Sequence, residues 1–124
     1  MRSAEPLTLL VTSPSPMFSG DVSTTVVAEH LPGAGDVKVG LVRFEAGACT
    51  RWHTHDGDQL LLIVDGRGWI STRTDVAEVH AGSTVVIPAG EEHYHAAADD
   101  SAMVQYSVLA GTHTEILEAV GEQP

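Results

Sequence analysis

Four of the seven histidines in this 124-residue chain stand in two pairs, His53-Thr54-His55 and His93-Tyr94-His95. On an extended strand, side chains two apart point to the same face, about 7 Å apart along the backbone at a rise of roughly 3.3 Å per residue. Two imidazoles so placed can converge on one ion, and imidazole suits zinc, iron, manganese, nickel and copper. A lone buried histidine is more often a hydrogen-bonded core residue. Two pairs framed by ordered glycines and a proline point instead to a metal site.

The first frame reads Gly47, five residues, His53, one residue, His55, three residues, Gln59, six residues, Gly66. The second reads Gly82, five residues, Pro88, one residue, Gly90, two residues, His93. This resembles the two motifs of the cupin superfamily, G-x5-H-x-H-x3-E-x6-G and G-x5-P-x-G-x2-H-x3-N, with eight of the ten defining positions in register. The resemblance runs from Gly47 to Ala97, and the fifteen residues 67–81 between the motifs suit a compact member. It implies an all-β, double-stranded β-helix (jelly-roll) barrel. It also implies that His53, His55, Gln59 and His93 hold one divalent metal ion inside that barrel, with manganese or iron favoured over zinc or nickel.

Two positions depart from the pattern. Ala97 stands for the usual Asn and Gln59 for the usual Glu. A glutamate would cancel one charge of the ion, whereas an amide oxygen cancels none. Three neutral imidazoles and an amide leave the site near +2, a stronger Lewis acid that attracts anionic ligands. Two alternatives stay open: Gln59 hydrogen-bonds only and the histidines bind the ion alone, or the site holds no metal. Small cupins with His-x-His-x3-Gln, a Gly66-Arg67-Gly68-Trp69 segment and a His93-Tyr94-His95 segment form a group. It includes quercetin-dioxygenase-like proteins and manganese-dependent hydroxynitrile lyases. The lyases use a further histidine on the last barrel strand as base. The aligned position here holds Gln105, which cannot take a proton at neutral pH.

The elements that must position these residues are short. Apolar or alternating segments at 7–12, 22–28, 37–45, 50–55, 59–65, 68–72, 76–80, 84–87, 93–97 and 103–109 read as strands. They are separated by turn signals such as Pro32-Gly33-Ala34-Gly35, Asp56-Gly57-Asp58 and Pro88-Ala89-Gly90. Many short strands at this pitch indicate a sandwich or barrel. Only 112–120, with Ile116, Leu117 and Val120 on one side, reads as a short C-terminal helix. Gly47 and Gly82 permit turns into strands, Pro88-x-Gly90 delivers His93, and Gly66 closes a hairpin after the strand of Gln59. Alternation places Arg51, His53 and His55 on one face, Gln59, Leu61 and Ile63 on another, and His93 with His95.

Four protein ligands on an octahedral ion leave two adjacent positions open. Lewis-acid chemistry on a small, oxygen-rich molecule follows, as a lyase, isomerase or cyclase. His95 is the base candidate, or else it bonds to the barrel wall. Arg51 could bind a carboxylate or enolate, or form a surface ion pair. Tyr94 has the opposite parity and packs outward. Gly40, Val42, Phe44, Leu61, Ile63, Val86 and Leu109 give an apolar substrate pocket to which Gln105 and Ser107 add polar contacts. Trp52 and Trp69 read as packing residues. Dioxygen chemistry with iron, manganese or nickel and a non-catalytic ligand-binding role are the alternatives.

At 13.1 kDa the chain is one domain, 1–124, with its motif core at 47–97. Seventeen acidic against six basic residues give a net charge of −11. Such a surface repels phosphate backbones and anionic membranes, so a small-molecule partner is expected. The single cysteine, Cys49, forms no internal disulfide, and no targeting or membrane-spanning segment is visible, so a cytoplasmic location is expected. The resemblance also implies a homodimer formed through the N-terminal strands.

Overall fold

Short runs of Val, Leu, Ile and Thr pair into twelve strands in the computed structural model, which describes residues 1, 3–28 and 37–121. The expected turn at Pro32-Gly33-Ala34-Gly35 lies outside the described residues. The strands are β1 (Val11–Thr12), β2 (Phe18–Ser19), β3 (Val22–Ala28), β4 (Val37–Phe44), β5 (Cys49–Thr50), β6 (His53–His55), β7 (Gln59–Thr72), β8 (Val76–His80), β9 (Thr84–Ile87), β10 (His93–Ala97), β11 (Met103–Ala110) and β12 (Thr114–Ile116). Pro6–Thr8 forms one turn of 3-10 helix, so the expected first strand shrinks to β1. Among the described residues no helix is long and apolar enough to cross a membrane.

All pairings are antiparallel, and β7 joins two sheets. Its first half pairs with β11 and β9, and through β11 the sheet continues to β4, β3 and β1. Its second half pairs with β10 and β8, and β10 carries both β5 and β6, with β2 beyond β5 and β12 beyond β6. This is the all-β cupin barrel that the motifs imply. A core drawn from both sheets includes Val22, Phe44, Leu61, Ile63, Ile70, Val79, Ile87 and Met103. Full burial of each large aliphatic side chain contributes about 1.5–3 kcal/mol.

Two expectations are corrected here. Gly66 does not close a hairpin; it lies inside the continuous strand β7, opposite Met103, at φ +72°. A slip in the β7–β11 register between Val104 and Gln105 marks a bulge beside it, so the strand bends from one sheet to the other. A Cβ at Gly66 would lie 1.7 Å from the Ala102 carbonyl oxygen, which explains the glycine. The C-terminal helix is absent as well: Thr114, Glu115 and Ile116 instead pair with His55, Thr54 and His53. A helix of nine residues is marginal alone, whereas the edge of β6 offers this segment backbone partners. On the same side the Trp52 N–H donates to the Glu118 carbonyl oxygen and the Leu117 N–H to that of Trp52, and the Asp56 carboxylate accepts the Thr112 and His113 N–H groups.

Asp58 and Ala110 also bond across this end, drawing the two segments so close that a Cβ on Gly57 would lie 1.1 Å from the Ala110 carbonyl oxygen. Gly57→Ala is expected to lower stability by at least ~2 kcal/mol, the range of strained or overpacked sites. Gly121→Ala, where a Cβ meets nothing within 4 Å, stays within about 0.5 kcal/mol. Urea midpoints of the two variants check the contrast; equal midpoints contradict the close approach.

Candidate metal centre

The strands β6 and β10 lie side by side with His53 opposite His93. That pairing brings the imidazoles of His53, His55 and His93 together. Ring centroids are 4.2 Å apart for His53–His93, 4.9 Å for His53–His55 and 5.4 Å for His55–His93. One ring nitrogen from each lies within 4.8 Å of the others, an arrangement able to hold a metal ion.

The outer nitrogen of each ring is already engaged. His53 Nδ1 lies 2.8 Å from the Arg51 carbonyl oxygen, and His93 Nδ1 lies 2.8 Å from that of Glu91. A carbonyl only accepts, so both rings carry their proton on Nδ1 and keep a bare lone pair on Nε2. His55 Nδ1 lies 2.7 Å from Thr114 Oγ1, and its buried Nε2 has no partner. Gln59 donates through Nε2 to Ser107 Oγ at 2.8 Å, which turns Oε1 toward the histidines, 3.2 Å from His93 Nε2. Two acceptors therefore face each other with no proton between them. Three imidazole nitrogens and an amide oxygen, oriented by outer bonds, fit a divalent cation.

Burial sets the charge state. Desolvation, with repulsion from His93, pushes the His53 imidazole down to about 3 and that of His55 down to about 4. Desolvation also lowers His93, and it drives His95 well below the ordinary histidine value. All four rings are neutral at pH 7, the state that ligates metal.

His95 sits behind these rings, stacked on His53 at 5.3 Å and 28°. Its backbone N–H donates to Thr50 Oγ1, its Nδ1 accepts from Gln105 Nε2 at 2.8 Å, and its buried Nε2 has no partner. One nitrogen therefore bonds the barrel wall and the other is unengaged. Arg51 is elsewhere. The chain breaks from strand geometry at residues 51 and 52, which ends the alternation, and the guanidinium donates to the Leu117 carbonyl oxygen at 2.7 Å. It anchors the C-terminal segment and does not line the cavity. Tyr94 faces away from the site as expected, yet it is buried against Trp52, Trp69 and Val120 on the outer side. Trp52 meets the Tyr94 ring edge-on at 4.9 Å and is covered by Arg73 at 3.7 Å, so both tryptophans pack rather than bind.

A cavity of about 270 Å³ opens on the site, walled by His53, His55, Gln59 and His95 on one side. Opposite stand the inward rows of β4 and β11, where Gly40 pairs with Ser107, Val42 with Gln105 and Lys38 with Leu109. Phe44 also lines it. Leu61 and Ile63, expected in the wall, are instead sealed in the core at 0% and 2% exposure, and Val86 faces outward at 69% exposure. Sequence reading missed Thr114, hidden by the helix expectation, and Thr50. It also missed Lys38, although Lys38 shares the parity of Gly40, Val42 and Phe44. No acidic residue lines the cavity among the described residues, and Lys38 is the charged side chain in its wall.

Residues 40–109 match the Cupin_2 family, described as a cupin domain. The chain belongs to the cupin family. It is 33% identical over 114 residues to (R)-mandelonitrile lyase of Granulicella tundricola, covering 89% of this chain and 86% of that protein. A cupin-like protein from Thermotoga maritima has a TM-score of 0.83 at 30% identity, covering 90% of this chain and 86% of that one. The polyketide cyclase RemF from Streptomyces resistomycificus shares the fold, with a TM-score of 0.76 at 16% identity over 99% of this chain and 87% of its own.

The depressed imidazoles carry a stability consequence. Unfolded histidines titrate near 6.5, while the folded ones refuse protons down to about 3 at His53 and about 4 at His55. Stability is therefore whole above about pH 6.5 and falls below it, by about 1.4 kcal/mol per pH unit for each such imidazole until its folded value is reached. The urea midpoint of the metal-free protein is expected to drop by several tenths molar or more between about pH 7.5 and about pH 5.5. A flat midpoint across that interval contradicts neutral burial.

Proposed function

We propose that this cupin is a metal-dependent enzyme that acts on a small, oxygen-rich organic molecule by lyase, isomerase or cyclase chemistry. The observation that carries the reading is the convergence of bare acceptor atoms, His53, His55 and His93 nitrogens with Gln59 Oε1, beside a cavity whose wall includes His53, His55 and Gln59. When bound there, a divalent ion supplies Lewis acidity toward a ligand oxygen, with manganese or iron the first candidates.

The remaining roles belong to the chain's own residues. Ser107 accepts from Gln59 Nε2, and the amide oxygen is left facing the histidines. Val42, Phe44 and Leu109 wall off water around the bound molecule. Lys38, on the inward row of β4, and the lack of acidic lining among the described residues favour a ligand that is anionic or becomes so during reaction. The similarity to a lyase supports this class of reaction. Cyanohydrin cleavage itself is not proposed, because Gln105 holds the place of the base.

Metal content of protein purified without an affinity tag tests the first half: near one equivalent of a divalent ion is expected, and none contradicts it. Chelator competition tests the ligands. Ser107→Ala, which loses an outer bond, is expected to weaken the ion roughly 10–100-fold, and His93→Ala by more. A His93→Ala protein that binds as tightly as the parent removes the site. Oxygen uptake by the iron-loaded protein with a carbonyl substrate decides for dioxygenase chemistry and against the Lewis-acid reading.

A further inference from the structure

The four clustered imidazoles do not all carry their proton on the same nitrogen. His53 and His93 have carbonyl oxygens at Nδ1 and so turn lone pairs inward. His95 instead has an amide at Nδ1, with Gln105 Nε2 at 2.8 Å and Gln105 Oε1 farther away at 3.3 Å. An amide nitrogen only donates, so Nδ1 of His95 must accept. A neutral imidazole carries one proton, and with Nδ1 accepting it sits on Nε2.

We infer that Gln105 is a positioning residue that fixes His95 as the Nε2–H tautomer, making His95 a hydrogen-bond donor to a carbonyl, enolate or alkoxide oxygen in the cavity rather than a base. The inference deepens the enzyme reading above and rests on it for the ligand, but not for the tautomer. Several observations carry it. His95 and Gln105 are both buried, at 3% and 2% exposure, and both line the cavity. His95 Nε2 is buried with no partner in the protein, a donor left unsatisfied on a ring that lines the cavity. The ring is held against rotation by stacking on His53 and by Phe44, whose centroid is 6.2 Å away.

The consequence for chemistry is specific. A neutral imidazole that gave up its Nε2 proton would become an anion, so His95 stabilises negative charge on the ligand through a hydrogen bond and keeps its proton. This is the work of an oxyanion-hole donor. A substrate suited to the site develops charge on an oxygen beside the His53 ring, and any proton removed from carbon must leave by another acceptor.

The test is a long-range 1H–15N correlation spectrum of protein with 15N-labelled histidine at neutral pH, metal-free and loaded with zinc, the His95 signals being assigned by their loss in His95→Gln. The expected result is protonated Nε2 and bare Nδ1 at His95, opposite to the pattern at His53 and His93. Gln105→Glu, whose carboxylate only accepts, is expected to reverse the His95 pattern. An Nδ1–H tautomer at His95 in the parent overturns the inference even if Gln105→Glu does not fold, and so does a folded Gln105→Glu protein with an unchanged tautomer. Either result leaves metal binding standing if chelator competition still finds the ion. A correct tautomer in a protein that binds no ion instead removes the enzyme reading alone.

Discussion

Buried acceptor atoms that face one another with nothing positive between them are the constraint around which this barrel is organised. The Arg51 and Glu91 carbonyls take the outer protons of His53 and His93, and Ser107 takes the amide hydrogen of Gln59. Each of these bonds is ordinary. Together they leave lone pairs aimed into one small volume, where water is excluded and electrostatic attraction for a cation is strong. Burial keeps every ring neutral, so the site meets an ion without first shedding protons.

The surrounding sheets serve this geometry in a few places. Pairing of His53 with His93 across β6 and β10 sets the spacing of the rings. The break at residues 51 and 52 frees the Arg51 carbonyl to turn back onto His53 and sends the Arg51 side chain to Leu117. β12 closes over β6 and brings Thr114 to His55. Arg73 then ties this last segment down through Glu118, and it also pairs with Glu92 and covers Trp52. The C-terminal strand is therefore part of the site's support rather than an appendage.

Much of this was legible in the residues. The strands 22–28, 76–80, 84–87 and 93–97 fall where alternation and turn chemistry place them, and the inward direction of His53, His55, Gln59 and His93 follows from period two. The losses have physical reasons. Apolar spacing at Ile116, Leu117 and Val120 suits one side of a helix, but a short segment beside an unpaired strand edge gains more from pairing than from a helix with no nucleus to spare. Asp65-Gly66 has the chemistry of a turn, yet the chain needs that glycine to bend a long strand past Ala102. Leu61 and Ile63 share the face of Gln59, but alternation gives a direction and not a depth, and both end in the core. Which nitrogen of each histidine is protonated is set by bonds from distant segments, and no spacing rule reveals it.

The most direct measurement is the X-ray absorption spectrum of the protein loaded with one equivalent of zinc. Three imidazoles at about 2.0–2.1 Å, with their characteristic outer-shell scattering, and at least one oxygen are the predicted first shell. A spectrum of oxygen ligands alone, with no imidazole scattering, would mean that the converging nitrogens do not hold the ion.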